Sequence, residues 1–254
     1  MHLQLLNAIL AVLAIKTTTA LPQQPSSPRA TPPLSNDQLI AALKTDATTS
    51  KQLQRLVTSN SDTLLPPADL AAATVFDFNK NKFPVPGGRG SASSATLENF
   101  PLLLNSGLTT TVGTIGPCGF VIPHVHPRAN EFFLLVEGEV FFGTQLELGV
   151  IKPNASSGLQ PPVTGTLNKM TATLFPQGSI HYQVNNATDC GEATIVVTLS
   201  SEDPGTNQIL LQGGGTAGGN GNGTAVDGLD GLRGLLPAVI VEAVDECLAR
   251  CGGK

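Results

Sequence analysis

From residue 75 onward the chain alternates short apolar runs with turn-forming residues. The runs VFDFN, ATLENF, LTTTVGTI, GFVIPHVH, FFLLVEGEVFFGT, TATLFPQG and ATIVVTLSS are rich in Val, Thr and Phe, with Gly, Pro, Asn and Ser around them. Segments of that kind predict strands. No helical period intervenes between them, so the strands are expected to pair antiparallel, and closure into a barrel or jelly roll protects the sheet edges. The expected fold class is all-β: one jelly-roll β-barrel over residues 75–211, with helical extensions at both ends.

The N-terminal extension covers residues 35–65. Ser35 or Asn36 can cap a helix in which Leu39, Ile40 and Leu43 share a face; Leu53, Leu56 and Val57 continue it after a Thr-rich break, and it ends before Pro66. Residues 212–233 are Gly-rich with Asn and Thr and read as a flexible loop. Residues 234–254 read as an amphipathic C-terminal helix, with Pro237 tolerated in the first turn and Gly252 just past the end. The sequence shows no internal repeat.

Residues 1–20 read as a signal peptide: residues 3–15 are mostly apolar, and Thr18 and Ala20 are small residues ahead of a cut. The apolar run is too short for a membrane span, which takes about 20 apolar residues. Residues 21–34 hold five prolines among Ser and Thr, which predicts a disordered, extended mature N-terminus. Secretion to the extracellular space agrees with three Asn-x-Ser/Thr acceptors, at Asn154, Asn186 and Asn222.

Composition sharpens this picture in two ways. With 27 Gly, 19 Pro and only 13% charged residues, the chain suits many short elements joined by turns. Its formal net charge is -5 and its 14 basic residues are spread out, so no cluster follows a phosphate backbone and nucleic acid is not an expected partner. Four cysteines would pair in an oxidising compartment. Cys118 and Cys190 fall near the ends of the expected barrel, while Cys247 and Cys251 are four apart in the C-terminal helix. The favoured pairs are therefore Cys118 with Cys190 and Cys247 with Cys251, with the other two connectivities still open.

The candidate chemistry lies in CGFVIPHVHPRANEFFLLVEG, residues 118–138, and in PQGSIHYQVNN some forty residues later. Strand alternation turns His124 and His126 to one face and Val125 to the other. Pro127 and Arg128 break that strand, and Glu131 opens the next, a lone carboxylate ahead of an apolar run. His181 enters from a separate strand after Pro176 and Gly178. Three of the chain's four histidines sit in these segments; the fourth, His2, is in the signal peptide. Three neutral imidazoles and one carboxylate suit Mn²⁺ or Fe²⁺, leaving two positions open on a six-coordinate ion, and tetrahedral Zn²⁺ is the rival.

These residues resemble the two motifs of the cupin superfamily. His124, His126, Glu131 and Gly138 match the first motif, and Pro176, Gly178, His181 and Asn185 match the second. Met170 stands where the second motif begins with glycine, and Cys118 where the first does, with Gly119 following. HPRANE, FDFN near Phe76, GPCG at Gly116 and SSEDPGTNQI from Ser201 are similar to the germin-like and spherulin branch, and the resemblance spans about residues 37–211. It implies a cupin jelly roll of two sheets, manganese held by three His and one Glu, and assembly into homo-trimers or hexamers. It also implies a reaction: oxidation of oxalate by dioxygen to carbon dioxide and hydrogen peroxide, or dismutation of superoxide. The spherulin side of the branch implies a non-enzymatic glycoprotein of encystment, stress or wall instead, and a sugar- or small-molecule-binding module ranks last. For a carboxylate substrate, the polar candidates near the pocket are Asn130, Gln183 and Asn185; alternation puts Gln183 and Asn185 on the face of His181, where the plainer reading of both is as hydrogen-bonding barrel residues.

Overall fold

The computed structural model describes residues 34–85, 87–209 and 232–252. The segment read as a signal peptide, almost all of the Pro-rich segment, most of the Gly-rich stretch and Asn222 lie outside the described residues. Among the described residues, eleven strands form two antiparallel sheets. The first has the order β1 (Phe83–Pro84), β2 (Gly90–Ala95), β3 (Thr109–Ile115), β10 (Ala193–Leu199), β5 (Glu131–Glu137) and β8 (Thr171–Phe175). The second has the order β11 (Asn207–Gln208), β4 (Phe120–Val125), β9 (Ile180–Val184), β6 (Glu139–Gln145) and β7 (Val163–Asn168). This is the jelly roll expected of the strand pattern.

The chain passes from one sheet to the other between β5 and β6 at Gly138, whose φ of 92° is open to glycine at no steric cost. A Cβ there would come within 3.0 Å of the Ala193 backbone, so the crossing is tight as well as left-handed. Between the sheets lies a core of Ile115, Phe133, Leu135, Val140, Phe175 and Ile195, with further aliphatic residues.

Two of the apolar runs are not strands. VFDFN is a turn region whose Phe76 packs on Phe78 and Phe100, and ATLENF leaves β2 at Ala95 and leads into a 3₁₀ turn at Pro101–Leu103. Conversely, β2 reads GSASSA and has no apolar alternation. Its small residues answer to packing: a Cβ on Gly113 would meet the Ala92 Cβ at 2.8 Å, so the β2–β3 contact admits little side chain.

Before the barrel come α1 (Asn36–Thr45), α2 (Thr49–Val57) and α3 (Pro67–Thr74). Ser35 and Gln38 form a reciprocal capping box on α1. Pro66 stops the preceding segment, and α3 begins at once, with Pro67 in its first turn, where the missing N–H costs nothing. After the barrel, α4 (Ala238–Cys251) buries Ile240, Ala243, Val244, Cys247 and Cys251, spaced by three and four as one helical face. That face lies on Phe120, Ile122, Tyr182 and Val184, the outer side of β4 and β9. Fully burying one such aliphatic side chain contributes about 1.5–3 kcal/mol, so the contact holds the helix firmly. Among the described residues, no helix is long and apolar enough to cross a membrane.

The disulfides differ from the favoured pairing. Cys118 joins Cys247 and Cys190 joins Cys251, with Cα separations of 5.4 and 5.7 Å. The reason is helical geometry: residues four apart on a helix hold their Cβ atoms about 5–6 Å apart, whereas a disulfide needs about 3.5–4.5 Å. Cys247 and Cys251 therefore share the buried face and each takes a partner from the barrel.

Candidate metal centre

The centre is assembled by a fault in strand β4. Val121 lies opposite Gln183 and His124 opposite His181, so three steps along β4 match two along β9. The extra residue is a β-bulge at Ile122–Pro123, where a proline's missing N–H is tolerated. It shifts the phase of the strand, so that Val121 and His124 both face the interior while Phe120 packs outward beneath α4. His126 follows two residues later on the same side. Glu131 is the first residue of β5, opposite Leu199 on β10 and Phe175 on β8.

His124, His126, Glu131 and His181 come together, each offering a donor atom, and these atoms all lie within 4.8 Å of one another. All four residues are buried. Phe175 stacks on His181 with ring centroids 4.4 Å apart and planes at 9°, closing the cluster from behind.

Each imidazole is oriented through Nδ1. His124 Nδ1 lies 2.9 Å from Ile122 O, His126 Nδ1 2.6 Å from Gly205 O, and His181 Nδ1 2.9 Å from Ser179 O. A carbonyl oxygen only accepts, so Nδ1 carries the proton in all three rings and donates it. Nε2 is then the ligand nitrogen, as in metal sites whose histidines are held by backbone carbonyls. Among the described residues, a second cluster of potential donors, Cys118, Cys247 and Cys251, is consumed by the disulfides.

The electrostatics of these four side chains show what a cation would replace. Burial resists ionisation of Glu131, but hydrogen bonding with His126 and His181 outweighs it and holds the carboxyl well below the usual range. Glu131 Oε2 is 2.7 Å from His126 Nε2 and 3.2 Å from His181 Nε2. Burial disfavours a charged His126 too, yet the Glu131 carboxylate overcomes it and raises the imidazole pKa. For His124 burial prevails, aided by His181, and pushes the ring down to about 4. The buried carboxylate thus favours the protonated form of its neighbour His126, in the place where a divalent cation would sit among the same four donors. The donor set fits such an ion.

Around this set lies a structure that sequence reasoning missed. The Arg128 backbone N–H donates to Pro204 O at 3.1 Å, its Nε to Asp203 O at 2.8 Å and its guanidinium to Asp203 Oδ1 at 2.7 Å. This clamps the turn whose Gly205 carbonyl orients His126. The signal was present in HPRANE and SSEDPG, but nothing in one sequence says that the two segments touch. Of the three polar candidates, Gln183 lines the interior cavity. Asn185 sits one residue past β9, and its amide is spent on Ile115 O, Gly191 O and the Ala187 N–H. Asn130 ties loops together by accepting from Gln177 N and bonding Ser200. A cavity of about 230 Å³ opens beside His124, His126 and Glu131.

Comparison with known proteins shows the family. The cupin family pattern matches residues 76–219. Spherulin-1A of Physarum polycephalum is 32% identical over 183 residues, which cover 70% of this chain and 70% of that protein. Germin-like protein 12-2 of Oryza sativa subsp. japonica is 36% identical over 122 residues, 47% of this chain and 50% of its own. Among solved structures, an oxalate oxidase in complex with the substrate analogue glycolate aligns over 82% of this chain and 94% of its own, at 22% identity and a TM-score of 0.47. The bulged strand with its two histidines, the carboxylate opening β5, the third histidine on β9 and the extended match to Spherulin-1A together make this chain a member of the cupin family, of the germin-like and spherulin type.

Proposed function

We propose that the chain is a secreted, manganese-binding oxidoreductase that acts on a small carboxylate. One observation carries the reading: three Nε2 atoms, each freed by a carbonyl on Nδ1, face one buried carboxylate. His124, His126, His181 and Glu131 would hold the ion. Imidazole and carboxylate donors without thiolate suit Mn²⁺ or Fe²⁺ over a closed Zn²⁺ site, and Mn²⁺ is the ion that the germin-like resemblance implies. When bound, it supplies a redox-capable Lewis acid with positions not taken by protein. The chain's residues supply orientation and exclusion of water: the carbonyls fix the rings, Phe175 seals the rear, and the cavity leads to the donors from the side of His124, His126 and Glu131.

Oxalate is the simplest carboxylate to test, its two-electron oxidation by dioxygen yielding two carbon dioxide and one hydrogen peroxide. Superoxide dismutation is the other reaction open to such a centre. The experiment is elemental analysis of the purified glycoprotein, followed by carboxylate-dependent peroxide release. His181→Ala should abolish both metal content and turnover; full activity in that variant would end the reading.

Secretion is supported by the four cysteines standing in two disulfides, which persist in oxidising compartments. Asn154 is exposed between β6 and β7, open to a glycan, whereas Asn186 is half-buried with its side chain bonded to Arg250. Trimeric or hexameric assembly is part of the same reading. Exposed Phe132 and Leu174 lie opposite each other on β5 and the edge strand β8, an apolar pair suited to a second copy, and light scattering tests it.

A second reading is favoured by the reach of the Spherulin-1A match, 70% of each chain against about half for the germin-like protein. There the ion stabilises a wall or matrix glycoprotein and transforms nothing. A manganese-loaded protein inert toward carboxylates and superoxide would place this reading first.

A further inference from the structure

The cavity beside the metal centre is larger and more apolar than oxalate needs. Its volume, about 230 Å³, exceeds the roughly 150 Å³ of an engineered protein cavity that holds benzene. Val121, Phe133, Ile195 and Val197 supply apolar wall, and Ser94 and Thr111, hydrogen-bonded to each other at 2.6 Å, close the side formed by β2 and β3. Among the described residues that line it there is no Lys or Arg.

Two donors are left over inside. Gln183 Nε2 and Thr109 Oγ1 have no hydrogen-bond partner, although each residue is only 1% exposed and each lines the cavity. A buried donor without an acceptor destabilises the fold, so such a pair in a cavity wall calls for an acceptor on the ligand. The charge balance specifies the ligand further. A divalent ion beside the Glu131 carboxylate keeps one net positive charge, which one carboxylate neutralises. A second carboxylate would lie among aliphatic and aromatic side chains with no cation to pair with, a costly burial.

We propose that this cavity binds a monocarboxylate with an apolar body the size of a single ring or a branched aliphatic chain. The carboxylate is directed to the metal centre, Gln183 and Thr109 donate hydrogen bonds to its oxygen atoms, and the body rests on Val121, Phe133, Ile195 and Val197. This rests on the metal reading above and narrows its substrate class.

The test uses the full, disulfide-bonded chain reconstituted with Mn²⁺, its metal content measured before and after each titration. Benzoate and acetate share a carboxylate and differ in the body, so calorimetry should give benzoate the tighter binding by about ten-fold or more, from the apolar area it buries. Equimolar oxalate should fail to displace benzoate while the manganese stays bound. Gln183→Met, close in shape but without donors, should weaken benzoate about ten-fold with metal content retained. Val197→Phe, which fills the apolar side, should erase the preference for benzoate over acetate. Equal affinities for benzoate and acetate in the parent chain, displacement by equimolar oxalate, or unchanged benzoate binding in Gln183→Met would each overturn the proposal. A chain that takes up no Mn²⁺ overturns the metal reading and, with it, the anchoring end of this one.

Discussion

Replacing Arg128 with alanine should weaken the metal centre without removing any donor atom. Ile122 O and Ser179 O each lie two residues before the histidine they hold, so the local chain fixes them. Gly205 O reaches His126 from 79 residues away, and its turn is held by Arg128 through two side-chain bonds and one main-chain bond. Arg128→Ala removes the two side-chain bonds and leaves the third. Loss of a partner that orients a ligand costs roughly ten- to hundred-fold in metal affinity. Here one ring of three is affected and one tether survives, so the lower end applies: about ten-fold, or about 1.4 kcal/mol. Folding of the metal-free chain should change by no more than about 1 kcal/mol, because the Arg128 and Asp203 side chains are largely exposed and solvent-screened. Mn²⁺ titration of chelator-stripped protein, beside urea unfolding of the same sample, separates the two quantities. Unchanged affinity would show that Arg128 does not hold His126 in place, as would an affinity loss matched by an equal loss of folding stability.

Other consequences follow from the same structure. Opening the Cys190–Cys251 bridge with two serines frees ends 61 residues apart, and loop entropy puts the loss near about 4 kcal/mol in urea unfolding. Non-reducing peptide maps should link Cys118 to Cys247; a peptide joining Cys118 to Cys190 would contradict the clasp described above. Ile240→Ala, on the buried face of α4, should cost about 2–5 kcal/mol; a variant within 0.5 kcal/mol of the parent, roughly the range of a surface substitution, would remove the helix from the core. Chelation should lower the melting temperature, since an ion at a hundred times its dissociation constant stabilises by about 2.7 kcal/mol. An unchanged midpoint after verified removal of the ion would show that the ion is not held selectively by the folded chain.

The sequence made the donor set legible because alternation in a strand is a strong rule and because histidine is rare in this chain. Even so, alternation alone misplaces the neighbours. Val121 shares the interior with His124 only because of the bulge, for which Pro123 is the one visible sign. Asn185, counted two residues beyond Gln183 on the same face, lies past the end of β9 and serves as a backbone brace. Strand β2 was hidden for a different reason, since close approach to β3 selects Gly, Ala and Ser over the Val and Thr that announce a strand. The cysteine pairing went astray because spacing along a helix indicates a shared face and says nothing of which wall that face will meet. The Arg128 clamp depends on a contact between segments some 75 residues apart, beyond the reach of local pattern.

Strands β4 and β9 carry His124 and His181, and they are packed on both sides, by the barrel interior and by a helix held through covalent bonds. The rear of the ligand pocket is therefore riveted, and its amide hydrogens should be among the slowest to exchange in the molecule. Chains whose thiols stay reduced lack those rivets, so affinity for the ion should rise as the four cysteines oxidise.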